Sequence, residues 1–211
     1  MSDIGLMFDP KMIQAFLDGR KSLTRRTRGL GEINDNPDDW VAALYFSDGW
    51  WHFFKTQDAV HRHKPDMAIK CPFPVGARVY EKEAWATEKQ YDHLKPKEIP
   101  RTATIFYVSD GVGEWPINLA IGKLRSSMFM PKWAARIWQE IVGVRPERVQ
   151  DITEADAKRE GVMAVIASDE TDYRSGYRAA FADLWDRLSG RKYPWAKKVW
   201  VWRLELKEVK P

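Results

Sequence analysis

The sequence predicts an α+β protein in which short strands form a small mixed β-barrel, with helices at its ends and an inserted hairpin. Two observations lead to this fold class. Many short segments carry the alternating apolar pattern of strands, whereas few stretches show the apolar repeat of a helix. Strands and helices also do not alternate regularly along the chain, as a parallel doubly wound sheet would require.

The N-terminal segments predict a strand, a helix and a second strand. Ile4 to Phe8 is a short apolar run typical of a strand. Asp9 is expected to cap the next helix and Pro10 to occupy its first turn, while Gly19 ends it. The apolar face of this helix consists of Met12, Ile13, Phe16 and Leu17. Ser22 to Arg26 then follows as an extended segment.

The next part of the chain predicts a loop and a two-stranded arm. Residues 29–39 are rich in Gly, Asn, Pro and Asp, which favour loops. Val41 to Phe46 and Trp50 to Lys55 flank the turn sequence Ser47-Asp48-Gly49, whose Asp-Gly pair favours a hairpin. Because an isolated hairpin is marginally stable, we expect the aromatic residues of this arm to pack against the rest of the protein.

Four further strands and one amphipathic helix complete the expected fold. The strands are Arg78 to Trp85, Thr102 to Val108, Ala135 to Val144 and Trp200 to Val209. The helix runs from Arg174 to Leu188 and is stopped by Gly190. Its apolar stripe consists of Tyr177, Phe181, Leu184, Trp185 and Leu188.

A short helix is predicted between Asp151 and Gly161. Thr153 is its expected N-cap, Asp156 the capping-box partner of Thr153, and Gly161 its stop. Glu160 then lies in the last turn, where the negative end of the helix dipole would raise the pKa of its carboxyl group. A solvated surface glutamate is the alternative interpretation.

The stretch from Arg20 to Arg28 concentrates positive charge in a chain that is nearly charge-balanced. It holds five basic residues and no acid, and Lys21 and Thr24 lie three residues apart within it. With Lys21 in a turn and Thr24 on the emerging strand, both side chains could face one cleft. The alternative is structural, because basic residues are favoured near helix C-termini.

Taken together, the ordered segments resemble the ASCH family, a branch of the PUA-like β-barrels. The resemblance rests on G-x-K-x-x-T-x-R, PVGARVYEKEAW, QDITEADAKREG and VWVWRLELKEV, and in detail on the longer ASCH-like proteins of phage and prophage genomes. It implies one ASCH domain over residues 1–211, with inserts at about 27–70 and 87–128 that the minimal family members lack.

The same resemblance implies a function and a catalytic set. Small ASCH amidohydrolases remove acyl groups from the exocyclic nitrogen of cytidine, and their lysine, threonine and glutamate fall on Lys21, Thr24 and Glu160. The expected substrate is an N4-acylcytidine or a related nucleoside or modified base. Other members act as RNA-binding modules, so a non-catalytic protein that binds RNA, DNA or a modified base is the alternative.

Five other residues are candidate substrate contacts. They are Arg20, Arg26, Glu83, Trp133 and Arg136. Trp133, in Met-Pro-Lys-Trp close to Arg136, is the tryptophan best placed to stack on a base, although core packing is the alternative. Glu83 follows Glu81 at a spacing that places both on one strand face, an arrangement that often marks a solvated face.

No cofactor is expected from the sequence. His52, His61, His63 and Cys71 lack the paired spacing of a zinc site, and neighbouring lysine and arginine residues oppose a cation. A single cysteine excludes an internal disulfide and fits a reducing compartment. No run approaches the ~20 apolar residues that span a bilayer. We therefore expect a cytoplasmic protein without membrane contact.

Overall fold

The computed structural model describes residues 3–47, 49–111, 120–166 and 175–210. The strands are β1 (Ile4–Met7), β2 (Leu23–Arg26), β3 (Ala42–Ser47), β4 (Trp50–Phe54), β5 (Met67–Lys70), β6 (Arg78–Lys82), β7 (Trp85–Ala86), β8 (Phe106–Tyr107), β9 (Trp138–Arg148) and β10 (Trp200–Glu208). The α-helices are α1 (Pro10–Leu17), α2 (Gly31–Asp35), α3 (Gln57–His61), α4 (Glu154–Arg159) and α5 (Gly176–Ser189). Short 3₁₀ turns, including Val108–Asp110 and Lys132–Ala134, link several of these elements.

The chain divides into two compact units. The first consists of Met1–Lys21, Ala77–Glu140 and Lys207–Pro211. The second consists of Ser22–Gly76 and Ile141–Leu206. The boundary between Lys21 and Ser22 falls within the basic stretch from Arg20 to Arg28, so Lys21 belongs to the first unit and Thr24 to the second.

The first unit is built on a mixed sheet. Strand β1 lies parallel to β6, and β6 pairs antiparallel with the start of β9. Strand β1 passes so close to Tyr80 that residue 5 must be glycine, because a Cβ atom there would lie 2.7 Å from the Tyr80 ring. A separate cluster packs around the fully buried Trp85, with Ile99, Ala103, Met130 and Ala134.

Helix α1 begins and ends as its sequence predicts. Asp9 accepts the backbone N–H of Met12 at 2.9 Å, and Pro10 is the first helical residue. Gly19 follows the helix with a φ of +68°, a left-handed conformation that glycine adopts without strain. Met12, Ile13 and Phe16 of the expected apolar face are buried, whereas Leu17 is 45% exposed.

The second unit contains the antiparallel pairing of β10 with β2 and a separate three-stranded sheet, β3-β4-β5. The expected hairpin of β3 and β4 is confirmed, although Asp48 of its turn lies outside the described residues. Strand β5 was not predicted. Phe53 is fully buried, with its ring 5.5 Å from Trp200 and 6.4 Å from Trp202. Strand β4 therefore contributes to the core of this unit.

The two C-terminal helices differ in detail from their sequence patterns. Thr153 caps α4 as predicted, but the capping-box role of Asp156 is wrong, because its carboxylate accepts hydrogen bonds from Arg203 instead. Helix α5 begins at Gly176, and Arg174 lies outside the described residues. Phe181 and Trp185 are buried, whereas Leu188 is 56% exposed near the end of the helix.

The α+β class is confirmed, but the described strands do not close into a barrel. In the first unit the order β1-β6-β9 leaves β1 at an edge, and in the second the order β9-β10-β2 leaves β2 at an edge. The strand expected from Thr102 to Val108 is reduced to Phe106–Tyr107, which pair with only two residues of β7. Within the described ranges, every helix is too short or too polar to cross a membrane.

Candidate functional site

Lys21 is the last residue of the N-terminal segment of the first unit, shortly after the end of helix α1. Its side chain is buried, and its backbone N–H donates to the carbonyl oxygen of Ala15 at 2.9 Å. The ammonium nitrogen lies 5.6 Å from the ring centroids of both Phe8 and Phe16. Aromatic faces attract a cation at this distance. The lysine is therefore held in a fixed position by apolar neighbours rather than extended into solvent.

Thr24 occupies the middle of strand β2 in the second unit. It pairs with Leu204 of β10 and is 4% exposed. Successive side chains of a strand project from opposite faces, so Thr24 and Arg25 leave β2 on different sides. The predicted position of Thr24 on a strand that follows the lysine turn is confirmed.

A backbone contact joins the two sequence segments that carry the predicted catalytic residues. The N–H of Ser22 donates to the carbonyl oxygen of Arg159 at 2.9 Å, and Nε of Arg159 donates to Oγ of Ser22 at 3.2 Å. Ser22 directly follows Lys21, and Arg159 directly precedes Glu160. The end of helix α4 is thus fixed against the start of β2, although the two segments are far apart in sequence.

Glu160 forms the C-terminal cap of helix α4 and is 3% exposed. Its backbone N–H donates to the carbonyl oxygens of Asp156 and Ala157. Its carboxylate Oε1 accepts a hydrogen bond from Nη1 of Arg25 at 3.0 Å. The solvated-surface interpretation is therefore wrong, and a guanidinium group faces this carboxylate directly.

Arg25 is the centre of a buried ion-pair network in the second unit. Besides Glu160, it donates to Glu147 from Nε at 2.8 Å, and its Nη2 lies 3.3 Å from Asp156. Arg203 donates to the same Asp156 carboxylate at 2.8 Å. Hydrogen bonding by Arg203 lowers the pKa of Asp156, and the positive charges of Arg203 and Arg25 add to that effect.

Sequence reasoning did not identify this network. Arg25 was counted only as one of the five basic residues between Arg20 and Arg28, and Glu147 was not singled out. One signal was available: Arg203 interrupts the apolar alternation of the last strand, where a charged residue between buried positions requires a partner. Which carboxylates supply that partner depends on long-range packing.

Two candidate substrate contacts, Glu83 and Arg136, meet in the first unit. Arg136 donates from Nε to Glu83 at 3.0 Å and from Nη2 to Asp110 at 2.6 Å, and its guanidinium carbon lies 4.0 Å from the ring centroid of Tyr107. Glu83 also accepts a hydrogen bond from the hydroxyl of Ser109. Glu81 and Glu83 are 1% and 2% exposed, so the solvated-face interpretation is wrong.

The other three candidate contacts have different surroundings. Arg20 is partly exposed and pairs with Asp18 at 2.8 Å. Arg26 ends β2, where it pairs with Trp202 of β10. Trp133 is half-buried, packs against the cluster around Trp85 and lines a cavity in the first unit, so the core-packing alternative is confirmed in part. Of the five candidate substrate contacts, Glu83 and Arg136 are joined by a hydrogen bond.

The residues considered for a metal do not assemble. Cys71 is buried, which raises the pKa of its thiol to about 11, and its Sγ lies 3.6 Å from the carbonyl oxygen of Phe73. Across the described part of the chain, no group of three or more His, Cys, Asp or Glu side chains is arranged to hold a metal ion.

Comparisons of the chain with protein-family models, with curated proteins and with solved structures gave no match. The resemblance to the ASCH family stays a prediction from the sequence motifs.

Proposed function

We propose that the protein is an amidohydrolase that removes an acyl group from the exocyclic amine of a cytosine nucleoside, with Lys21, Thr24 and Glu160 as its catalytic residues. One observation carries the proposal. The hydrogen bond from Ser22 to Arg159 joins the segment that follows Lys21 to the helix end that presents Glu160.

The basic residues fit this proposal better than they fit a nucleic-acid-binding module. Phosphate recognition requires cationic groups that can reach a ligand. Arg25, however, has a side chain that is 1% exposed and is committed to acidic partners. Arg136 is held by Glu83 and Asp110. Arg25 and Arg136 therefore hold carboxylates of the chain itself.

The proposed reaction assigns proton transfer to Glu160, stabilisation of the oxyanion to Lys21 and orientation of the attacking water to the Thr24 hydroxyl. A water oxygen adds to the acyl carbon while its proton passes to the Glu160 carboxylate, and the ammonium group of Lys21 stabilises the negative charge that develops on the acyl oxygen. The carbon–nitrogen bond then breaks as Glu160 returns the proton to the leaving nitrogen. The products are the free nucleoside and a carboxylic acid. Arg25 positions Glu160 through their hydrogen bond.

A hydrolysis panel tests the proposal directly. We expect the 211-residue chain to release cytidine from N4-acetylcytidine, measured by chromatography. Because the substrate is neutral, turnover should hardly change with added salt, whereas phosphate-driven binding would weaken steeply. Absence of product from every acylated cytosine and cytidine in the panel would contradict the proposal.

Two substitutions at Thr24 decide between mechanisms that use its hydroxyl and those that do not. If the hydroxyl attacks the acyl carbon or orients the water, Thr24→Ser should keep substantial turnover, while Thr24→Val should lose it by about 10²- to 10⁴-fold. Valine closely matches threonine in shape, so the buried strand position is preserved. Steady-state kinetics on N4-acetylcytidine provides the measurement. Wild-type turnover in Thr24→Val would remove Thr24 from the mechanism.

A further inference from the structure

A cavity of about 350 Å³ in the first unit combines aromatic and cationic side chains. It is lined by Arg101, Lys132, Trp133, Ala135 and Trp138. This volume lies at the lower end of the range of about 300–1,000 Å³ that is typical of small-molecule sites. Such a size suits one nucleotide rather than an extended polymer segment.

One wall of the cavity is rigid. Trp138 is 5% exposed, and its indole N–H donates to the carbonyl oxygen of Ala135 at 3.2 Å. The ring of Tyr80 lies against it with a centroid distance of 5.6 Å. A wall fixed in this way is preformed, so a ligand would not have to order it on binding.

Positive charge collects around the same wall. The ammonium nitrogen of Lys132 lies 5.4 Å from the Trp138 ring centroid, and the guanidinium carbon of Arg78 lies 4.6 Å from it. Lys132 also pairs with Asp3, and this hydrogen bond lowers the pKa of the Asp3 carboxyl, with a further contribution from the charge of Arg78. Arg101 adds an exposed guanidinium to the lining. Three cations, Arg101, Lys132 and Arg78, thus face one carboxylate, Asp3, so the surroundings of the cavity carry a net positive charge that favours an anion.

We propose that this cavity binds a nucleotide, with the base stacked on Trp133 and the phosphate held by Arg101 and Lys132. Trp133 packs against the cluster around Trp85 but is only half-buried and lines the cavity, whereas the ring of Trp138 already faces Arg78 and Lys132. The proposal goes beyond the hydrolase reaction, because the lining residues do not include Lys21, Thr24 or Glu160.

The two parts of the ligand are recognised by different residues, and this makes the site testable with ligand fragments. A nucleoside can use the stacking surface but offers nothing to the cations. Inorganic phosphate can use the cations but cannot stack. Stacking and charge-assisted contacts each contribute to affinity, so a ligand with both groups should bind most tightly.

Isothermal titration of the full-length chain provides the test. Cytidine monophosphate should bind at least about tenfold more tightly than either cytidine or inorganic phosphate, since each fragment lacks one set of contacts. Arg101→Gln and Lys132→Gln should each weaken binding of the monophosphate about tenfold while leaving cytidine binding unchanged. The matched controls are Arg191→Gln and Lys64→Gln, exposed residues outside the lining, which should bind as wild type.

Two further arms identify the stacking residue and the source of the nucleotide. Trp133→Phe should retain most of the affinity and Trp133→Leu should lose it, because leucine has no aromatic face. A short oligocytidylate that binds more tightly than the monophosphate, with a steeper salt dependence, would identify a nucleic acid strand as the source. Equal affinities for the oligocytidylate and the monophosphate would identify the free nucleotide as the ligand.

The proposal is overturned if cytidine monophosphate does not bind at millimolar concentration, or if Arg101→Gln and Lys132→Gln bind it like the wild-type chain. Neither result depends on hydrolysis, because cytidine monophosphate carries no acyl group. Failure of this site and failure of the amidohydrolase proposal are therefore distinguished by separate measurements.

Discussion

Replacing Lys21 by methionine or Glu160 by glutamine is expected to lower turnover of N4-acetylcytidine by about 10²- to 10⁴-fold, because each change removes a group that acts in the transition state. Methionine keeps an unbranched side chain against Phe8 and Phe16, and glutamine keeps the shape of glutamate while retaining an oxygen that can accept from Arg25. The catalytic constant should fall far more than the Michaelis constant changes.

The matched controls for these variants are Lys158→Met and Glu208→Gln. Both residues are exposed, and the two substitutions make the same chemical changes as the catalytic variants. Steady-state kinetics together with thermal unfolding separates lost chemistry from lost folding. If the catalytic variants and their controls turn over at comparable rates, neither Lys21 nor Glu160 takes part in the reaction.

Replacing Arg25 by methionine is expected to reduce the free energy of unfolding by about 3–5 kcal/mol, because it leaves buried carboxylates without their cationic partner. Its side chain is 1% exposed and contacts Glu147, Asp156 and Glu160. Urea unfolding followed by circular dichroism measures the change. Turnover should also fall, since Glu160 loses the group that positions it.

Arg145 provides a close control for this prediction. It pairs with the same Glu147 at 3.1 Å, but its side chain is 57% exposed. An exposed pair contributes little, so Arg145→Met should change the free energy of unfolding by less than about 1 kcal/mol. Equal destabilisation by Arg25→Met and Arg145→Met would mean that burial does not set the importance of the network.

The sequence predicted those features that depend on neighbouring residues. Asp9 and Thr153 cap their helices, and Gly19 ends α1, because a cap or a stop requires only a short side chain or a left-handed residue at one position. The hairpin of β3 and β4 was likewise predicted from its turn and its flanking apolar runs. These signals act over a few residues and are visible in one dimension.

Strand β5 and the open edges of the sheets were not predicted from the sequence, because both depend on residues that are distant along the chain. Residues 67–70 pair with β4 across a connection that includes helix α3, so no turn signal marks the pairing. The closure of a sheet into a barrel depends on how its edge strands are placed, and short apolar runs carry no information about their distant neighbours.

The sequence by itself determined the α+β class, the local caps and turns, and the choice of Lys21, Thr24 and Glu160 as candidate residues. Only the tertiary structure shows that Arg25 is buried against acidic side chains and that Glu83 forms an ion pair with Arg136. Arg25 and Glu147 are 122 positions apart in the chain. Charged residues look alike in a sequence whether they face water or a partner, and only the packing of distant segments determines which of the two they meet.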